Sequence, residues 1–89
     1  MTIWKYPVPV QDEFTVDMPP GAKVLSVQVQ RDEPQMWAMV EEESYGGKQR
    51  RRFRVIGTGH PISRDEILSF IGTFQLRGGA LVFHLFEAK

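Results

Sequence analysis

Residues 80–86 read Ala-Leu-Val-Phe-His-Leu-Phe, a run that is apolar on both faces of any strand it forms. A strand of this kind belongs inside a sheet with both sides covered, because an exposed side would leave apolar surface in water. The run follows Gly78 and Gly79 and a further β-prone segment at 70–76, an arrangement that predicts a hairpin. The C-terminal third therefore predicts a β-domain with a well-packed core.

A series of short strand-like segments, separated by turn residues, precedes this hairpin. The clearest covers 23–30, where Leu25, Val27 and Val29 alternate with polar residues, and a period of two is typical of a strand with one buried face. Further β-prone segments cover residues 2–6, 13–18, 35–42 and 48–56. We therefore predict a mainly β fold, all-β or α+β, with an antiparallel sheet of about six short strands in a small sandwich or partly open barrel.

Two local signals refine this prediction. Residues 45–47 (Tyr-Gly-Gly) are typical of a hairpin, because glycine reaches positive φ at little cost, so we expect 48–56 to pair antiparallel with 35–42. Residues 63–66 (Ser-Arg-Asp-Glu) match a helix capping box and predict at most one short helix near 64–69.

Length and composition limit the class of protein. The 89 residues predict a single domain over 1–89. Basic and acidic residues number 11 each, and this balance argues against non-specific DNA or RNA binding, which usually needs a basic excess. The absence of cysteine excludes disulfides and thiolate metal sites, and the two histidines have no metal-ligand spacing, so we expect no metal and no cofactor.

The same features predict a location and an assembly state. No apolar run is long enough for a membrane span and the first residues lack a signal-peptide pattern, so we expect no membrane contact and a cytoplasmic location. A chain this short buries a modest core. Without disulfides or a metal, the remaining source of added stability is self-association, so we predict a homo-oligomer.

A basic strand is the first candidate for ligand binding. Arg50, Arg52 and Arg54 are predicted to share one face of it, at a spacing of roughly 7 Å. Such a row can hold phosphate groups through pairs of N–H donors. The alternative is cross-strand pairing with Glu41 and Glu43 on the neighbouring strand.

Arg51 is predicted to lie on the opposite face of the same strand, together with Phe53 and Val55. A buried guanidinium needs a partner, because an unpaired buried charge is costly. A ligand or a second subunit can supply that partner, so Arg51 joins the candidate ligand-binding residues.

The loop after the basic strand is the second candidate. Residues 57–61 read Gly-Thr-Gly-His-Pro, in which the glycines let backbone amides converge on an anion and the polar side chains can donate to it. Thr58, Gly59 and His60 are therefore candidate ligand-binding residues. A plain turn is the commoner use of such glycines, and the ending of a phosphate-binding P-loop is missing.

The remaining candidates are aromatic and polar side chains. Trp4 is a candidate for stacking on a base or contacting a partner, whereas Trp37, between two methionines, is expected in the core. His84 is expected to be a neutral core residue whose ring nitrogens are hydrogen-bonded. The polar row of Ser26, Gln28 and Gln30 suits a ligand floor, an oligomer seam or solvent.

Several stretches together resemble a family of small uncharacterised proteins of bacteriophages and prophages. They are Trp-Lys-Tyr at 4–6, Pro-Pro-Gly-Ala-Lys-Val-Leu-Ser-Val-Gln at 19–28, Trp-Ala at 37–38, Gly-Thr-Gly-His-Pro-Ile at 57–62, Phe-Ile-Gly-Thr-Phe-Gln at 70–75 and Val-Phe-His-Leu-Phe-Glu at 82–87. The resemblance covers nearly the whole chain and implies one compact domain. It brings no assigned activity and no catalytic residue, but it implies a small phage protein that acts against host defence.

These observations lead to a functional hypothesis with alternatives. We predict a non-enzymatic phage protein that counters host antiviral defence in the host cytoplasm by sequestering a small anionic nucleotide signal at a subunit interface. The alternatives are a direct inhibitor of a host defence protein, similar to an anti-CRISPR, and a small structural or accessory phage protein. A nucleotide hydrolase with His60 or His84 as base ranks last, because no nucleophile or metal set is visible beside either histidine.

Overall fold

In the computed structural model, which describes residues 1–42 and 46–89, the chain forms two antiparallel sheets. The strands are β1 (Thr2–Pro7), β2 (Glu13–Met18), β3 (Lys23–Gln30), β4 (Glu33–Val40), β5 (Gln49–Gly57), β6 (Leu68–Leu76) and β7 (Leu81–Ala88). The order is β1-β4-β3 in the three-stranded sheet and β2-β5-β7-β6 in the four-stranded sheet. The predicted antiparallel β-sandwich is confirmed, and it is open rather than closed into a barrel.

The two sheets pack through their inner faces around a shared apolar core. Its largest fully buried side chains come from both sheets: Met36 and Val40 from β4, Met18 from β2, Phe53 from β5 and Leu85 from β7. Burial of a side chain of this size stabilises a fold by about 1.5–3 kcal/mol. The alternation read from the sequence at 23–30 is correct for Val27 but wrong for Leu25, which is 39% exposed because a β-bulge between Val24 and Ser26 shifts the register.

The sandwich is closed at one edge and open at the other. At the closed edge β3 approaches β6 at Gly72, where an added Cβ would lie 2.8 Å from Val27 Cγ1, so only glycine allows this contact. At the open edge, β1 and β2 are separated by a groove of about 520 Å³ whose lining includes Tyr6, Phe14 and Val16.

The apolar run at the end of the chain forms β7, which lies between β5 and β6. Leu85 on its inner face is fully buried. β5 and β6 both run antiparallel to β7 and are therefore parallel to each other. The connection 58–67 between them has to pass over β7, from one end of the sheet to the other. The ion pair of Arg54 with Glu66 holds this connection against the outer face, where Ile56 is only 5% exposed.

Two predictions about the middle of the chain are wrong. β5 does not pair with β4, because β4 lies in the three-stranded sheet and β5 in the four-stranded sheet. The glycines at 46–47 let the chain turn but do not determine which sheet it enters next. Tyr45, the first residue of the predicted turn, lies outside the described residues. Trp37 is half-buried on the outer face rather than in the core, because Met36 and Ala38 occupy the inner face of β4.

The helix allowed near 64–69 is absent. Ser63 instead closes a turn, since its Oγ accepts from the Asp65 amide at 3.3 Å and its carbonyl oxygen from the Glu66 amide at 3.2 Å. The chain makes a turn there and enters β6 at Leu68. No helix in residues 1–42 or 46–89 has the length and apolar character of a membrane span.

Candidate functional site

The predicted row of arginines lies on the outer face of the four-stranded sheet, and β2 supplies carboxylates to it. Arg50 Nε lies 3.3 Å from Asp17 Oδ1, and Arg52 Nε lies 3.1 Å from Glu13 Oε1. β2 is the antiparallel neighbour of β5, and Asp17 stands directly opposite Arg50 in the ladder. The row is therefore neutralised in part by its own chain.

The third arginine of the row is fixed in a different way. Arg54 donates to the carboxylate of Glu66 in the crossing connection and, at 2.9 Å, to the carbonyl oxygen of Asp12. The pairing with Glu41 considered from the sequence does not occur, because Glu41 lies beyond β4 and contacts the amino group of Met1 at 3.1 Å. The other predicted acid, at position 43, is outside the described residues.

Arg51 points into the sandwich and is satisfied within its own chain. Its guanidinium binds both carboxylate oxygens of Glu87 on β7, with Nη2 at 2.8 Å from Oε1, and Nη1 donates to the Ala22 carbonyl oxygen at 2.6 Å. The hydrogen bonds with Glu87 raise the pKa of Arg51 above its usual value. The prediction that a ligand or second subunit supplies this partner is wrong.

Tyr6 lies beside this network on the inner face of β1. Its hydroxyl is buried, and none of the described residues forms a hydrogen bond with it. Burial raises the pKa of Tyr6, and the positive charge of Arg51 opposes the shift. At this end of the core, Arg51 and Glu87 thus have hydrogen-bond partners, whereas the Tyr6 hydroxyl has none among the described residues.

A cleft of about 530 Å³ opens where β5 begins and β7 ends, and its lining consists of Gln49, Arg50, Arg51, Arg52, Glu87, Ala88 and Lys89. Cationic side chains outnumber the single carboxylate. Because Arg51 and Glu87 neutralise each other, Arg50, Arg52 and Lys89 remain to face an incoming group. Clustered cations with N–H donors give this cleft the chemistry of an anion site.

The predicted glycine loop lies at the other end of β5. Thr58 is eight residues beyond Arg50, a separation of roughly 25 Å at about 3.3 Å per residue. The ring of His60 packs against Gly57, and the His60 amide donates to the Gly57 carbonyl oxygen at 3.0 Å. Gly59 has a φ of 87° and makes the turn. One chain therefore does not bring this loop to the arginines at the start of β5.

His84 stands on the outer face of β7, half-buried, between two threonines. Its Nε2 lies 2.8 Å from Thr58 Oγ1, and its Nδ1 lies 2.9 Å from Thr73 Oγ1. The prediction that both ring nitrogens are hydrogen-bonded is confirmed. The predicted core position is wrong, because Leu85 takes the inward position and its neighbour faces outward.

Trp4 lies in the other sheet, opposite Ala38 in the β1–β4 ladder, and is 41% exposed. The polar row of β3 lies on the outer face of the same sheet, where Gln30 Oε1 accepts from Lys5 Nζ at 2.9 Å. Neither feature adjoins the cleft.

The structure brings together three of the predicted ligand-binding residues, namely Arg50, Arg51 and Arg52. The others, Arg54, Thr58, Gly59, His60 and Trp4, lie elsewhere. Sequence reasoning missed Lys89, which is far from β5 in the sequence and comes near it only because β7 pairs with β5. It also missed the acids of β2, Glu13 and Asp17, although their even spacing predicts that they share one face of that strand. In the part of the chain that the structure describes, no group of three His, Asp or Glu side chains is placed to hold a metal ion.

A protein-family model described as "Domain of unknown function (DUF7352)" matches residues 1–89. Comparisons with curated proteins and with solved structures found no match. A function therefore has to follow from the geometry of the cleft.

Proposed function

The chain belongs to this family of unknown function, and from the cleft we propose that it is a binding protein for a small anionic ligand. Arg50, Arg52 and Lys89 are the groups that hold the ligand, and phosphate is the anion that suits them best. The supporting observation is a cluster of cations whose carboxylate partners are open to solvent.

The ion pairs of Arg50 and Arg52 are exposed enough to exchange partners. The side chains of Arg50 and Asp17 are 75% and 48% exposed, and those of Arg52 and Glu13 are both 51% exposed. Pairs of this kind stabilise a fold by about 0–1 kcal/mol. A phosphate group can therefore replace the carboxylates at small cost and form charge-assisted, bidentate hydrogen bonds with the guanidinium groups.

The chemistry of the cleft favours binding over catalysis. Arginine keeps its proton at any physiological pH, so it cannot act as a general acid or base. Glu87, the one acidic side chain in the cleft lining, is held by both of its oxygens against Arg51. Both features support a non-enzymatic role for this cleft.

The resemblance to bacteriophage and prophage proteins supports the biological part of the proposal. In that setting the ligand is a nucleotide signal made by a host antiviral system, and the protein counters the defence by sequestering that signal in the host cytoplasm. A nucleotide supplies the phosphate groups that the cleft is suited to hold.

Self-association is also part of the proposal. Ile67 and Phe70 are 67% and 60% exposed, and large apolar side chains of this kind favour contact with another protein. A second copy is the partner we propose, and a host defence protein is the alternative. Sedimentation velocity of the purified chain separates them: a dimer that Phe70→Ser converts to a monomer supports the homo-oligomer, and a monomer at every concentration contradicts it.

Isothermal titration calorimetry at low salt tests the anion site, with inorganic pyrophosphate, cyclic dinucleotides and cyclic ADP-ribose isomers as probes. We expect at least one phosphate compound to bind, with an affinity that falls as salt is added. The double substitution Arg50→Gln with Arg52→Gln is expected to weaken this binding at least tenfold, because it removes two charged donors.

A matched control removes the same amount of charge from exposed positions away from the cleft, by Arg31→Gln with Arg64→Gln. If the control weakens binding as much as the cleft variant does, the effect is one of net charge and the proposed site is wrong. Calorimetry without heat for any of the phosphate probes would also refute the proposal.

A further inference from the structure

A second group of reactive side chains lies on the outer face, at the far end of β5 from the cleft. His84 is hydrogen-bonded at both ring nitrogens, to Thr58 Oγ1 at 2.8 Å and to Thr73 Oγ1 at 2.9 Å. A neutral imidazole carries hydrogen on one nitrogen only, so one threonine accepts from the ring and the other donates to it. The arrangement is thus a hydroxyl, an imidazole and a second hydroxyl in line.

The direction of both hydrogen bonds depends on which ring nitrogen of His84 carries the hydrogen. With hydrogen on Nδ1, the ring donates to Thr73 Oγ1, and Nε2 accepts from the Thr58 hydroxyl. With hydrogen on Nε2, Thr73 donates to Nδ1, the ring donates to Thr58 Oγ1, and the Thr58 hydroxyl donates to the Val82 carbonyl oxygen at 3.4 Å. The first tautomer is the one that can accept a proton from Thr58.

The ring of His84 is half-buried on an outer face, and both threonines are exposed, so water can reach this part of the sheet. Water can therefore supply hydrogen bonds to the ring nitrogens, and two threonines are not needed for that purpose alone. Thr58 also borders a depression of about 330 Å³, whose other lining residues are Gly57, His60, Ala80, Leu81, Val82 and Phe83. Thr58 is therefore part of the surface that a molecule in that depression would contact.

We propose that Thr58 is a nucleophile activated by His84, with Thr73 as positioning residue, and that the site acts on small neutral esters. A nucleophile in contact with a base that a third group orients is the arrangement used for acyl transfer. The depression is lined mostly by apolar side chains and has no lysine, arginine or carboxylate, so it suits an uncharged acyl group. This activity lies beyond the proposed anion binding, and neither depends on the other.

The reaction conserves every atom and needs no co-reactant except water. Thr58 Oγ1 attacks the ester carbonyl carbon while its proton passes to His84 Nε2. The new Oγ1–C bond forms, the bond from carbon to the ester oxygen breaks, and the proton on Nε2 is delivered to the departing alcohol. Water then attacks the acyl-threonine by the same route, which releases the acid and restores the hydroxyl.

The test uses the full chain with 4-nitrophenyl acetate as probe. We expect release of 4-nitrophenolate and, by peptide mass spectrometry of the quenched wild-type protein, an acetyl ester on Thr58. Thr58→Val should abolish that ester, and His84→Gln should slow its formation at least about a hundredfold. Thr73→Val should slow it about tenfold and Thr73→Ser should restore it, which a purely structural role in packing would not require.

Thr15→Val is the matched control, because Thr15 is an exposed threonine on the outer face of β2, away from His84. It is expected to leave acetylation unchanged. Circular dichroism shows whether each variant is folded, and the peptide map of the wild-type chain decides the matter even if a variant is not. An acetyl group found on a histidine or lysine and absent from Thr58 would overturn the proposal.

Discussion

Both faces of β5 carry arginines, but those on the two faces differ in exposure and in their hydrogen-bond partners. On the inner face, Arg51 is 15% exposed and holds a carboxylate and a backbone carbonyl oxygen at once. On the outer face, Arg50 is 75% exposed and Arg52 is 51% exposed, and each touches one acid of the neighbouring strand. Adjacent arginines in one strand thus differ in how freely each can change its partner.

This difference separates structural from ligand-binding roles. The inward arginine joins β5 and β7 to the start of β3, through Glu87 and the carbonyl group of Ala22. Such a group cannot move without leaving a buried charge unpaired. On the outer face Arg54 is also held by its own chain, through Glu66. Arg50 and Arg52, in contrast, have exposed ion pairs that contribute little to the fold and leave both side chains available to a ligand.

The largest expected effect comes from breaking the inward pair. We expect Arg51→Met to lower the free energy of unfolding by about 3 kcal/mol, because Glu87 is left as a part-buried carboxylate without its partner. Urea denaturation at neutral pH measures the loss. The double variant Arg51→Met with Glu87→Leu should recover most of it, since apolar side chains can replace a buried ion pair. A double variant no more stable than the single one would show that the pair itself is essential.

A smaller effect of the opposite sign is expected at Tyr6, the other polar group on the inner side. Tyr6→Phe removes a buried hydroxyl that lacks a hydrogen-bond partner, so we expect stability at pH 7 to rise by about 1 kcal/mol. A lower stability of the variant would mean that the hydroxyl has a partner after all.

The same substitution tests the pH dependence of the fold. Burial raises the pKa of Tyr6 above 10.0, its usual value, so above pH 10 the unfolded chain loses the phenolic proton before the folded chain does. The stability of the wild-type chain therefore falls as the pH rises through the folded pKa. Denaturation at pH 7 and above pH 10 should show that the advantage of Tyr6→Phe grows with pH, whereas a constant advantage would contradict the shift.

The smallest expected effect on stability is at the outward arginines. Arg50→Gln and Arg52→Gln should each change the free energy of unfolding by less than about 1 kcal/mol, because both ion pairs are exposed. Denaturation in low and high salt checks this, since added salt should reduce even that difference. A loss as large as that of Arg51→Met would erase the distinction between the two faces.

Local alternation was enough to predict most strands. The alternation from Arg50 to Val55 assigned both faces of β5 correctly. The period of two at 23–30 placed Val27 inward but misplaced Leu25, because a β-bulge between Val24 and Ser26 leaves no mark in the alternation. Strand pairing was harder, because the turn glycines at 46–47 act locally. Whether β5 pairs with β4 or with β2 depends on how two sheets share one core, which no short stretch encodes.

The candidate sites show the same limit. The three arginines that share the cleft are consecutive in sequence, so their grouping could be predicted. Thr58 and Thr73 are 26 and 11 residues from His84, and only the register of three strands brings their hydroxyls to its ring. Trp37 was misplaced because β4 is apolar on both faces, and alternation carries no information where both faces are alike.

The central position of β7 constrains the order in which this protein can be completed during synthesis. The three strands of the first sheet have all been made by Val40, yet their apolar side has nothing to cover it until the second sheet forms. In that sheet β7, one of the two inner strands, is translated after the other three, and β6 has no neighbour in the sheet before β7 arrives. A ribosome-bound chain lacking residues 81–88 would thus expose unpaired strand edges and an uncovered core, which are the features that chaperones and aggregation both act on.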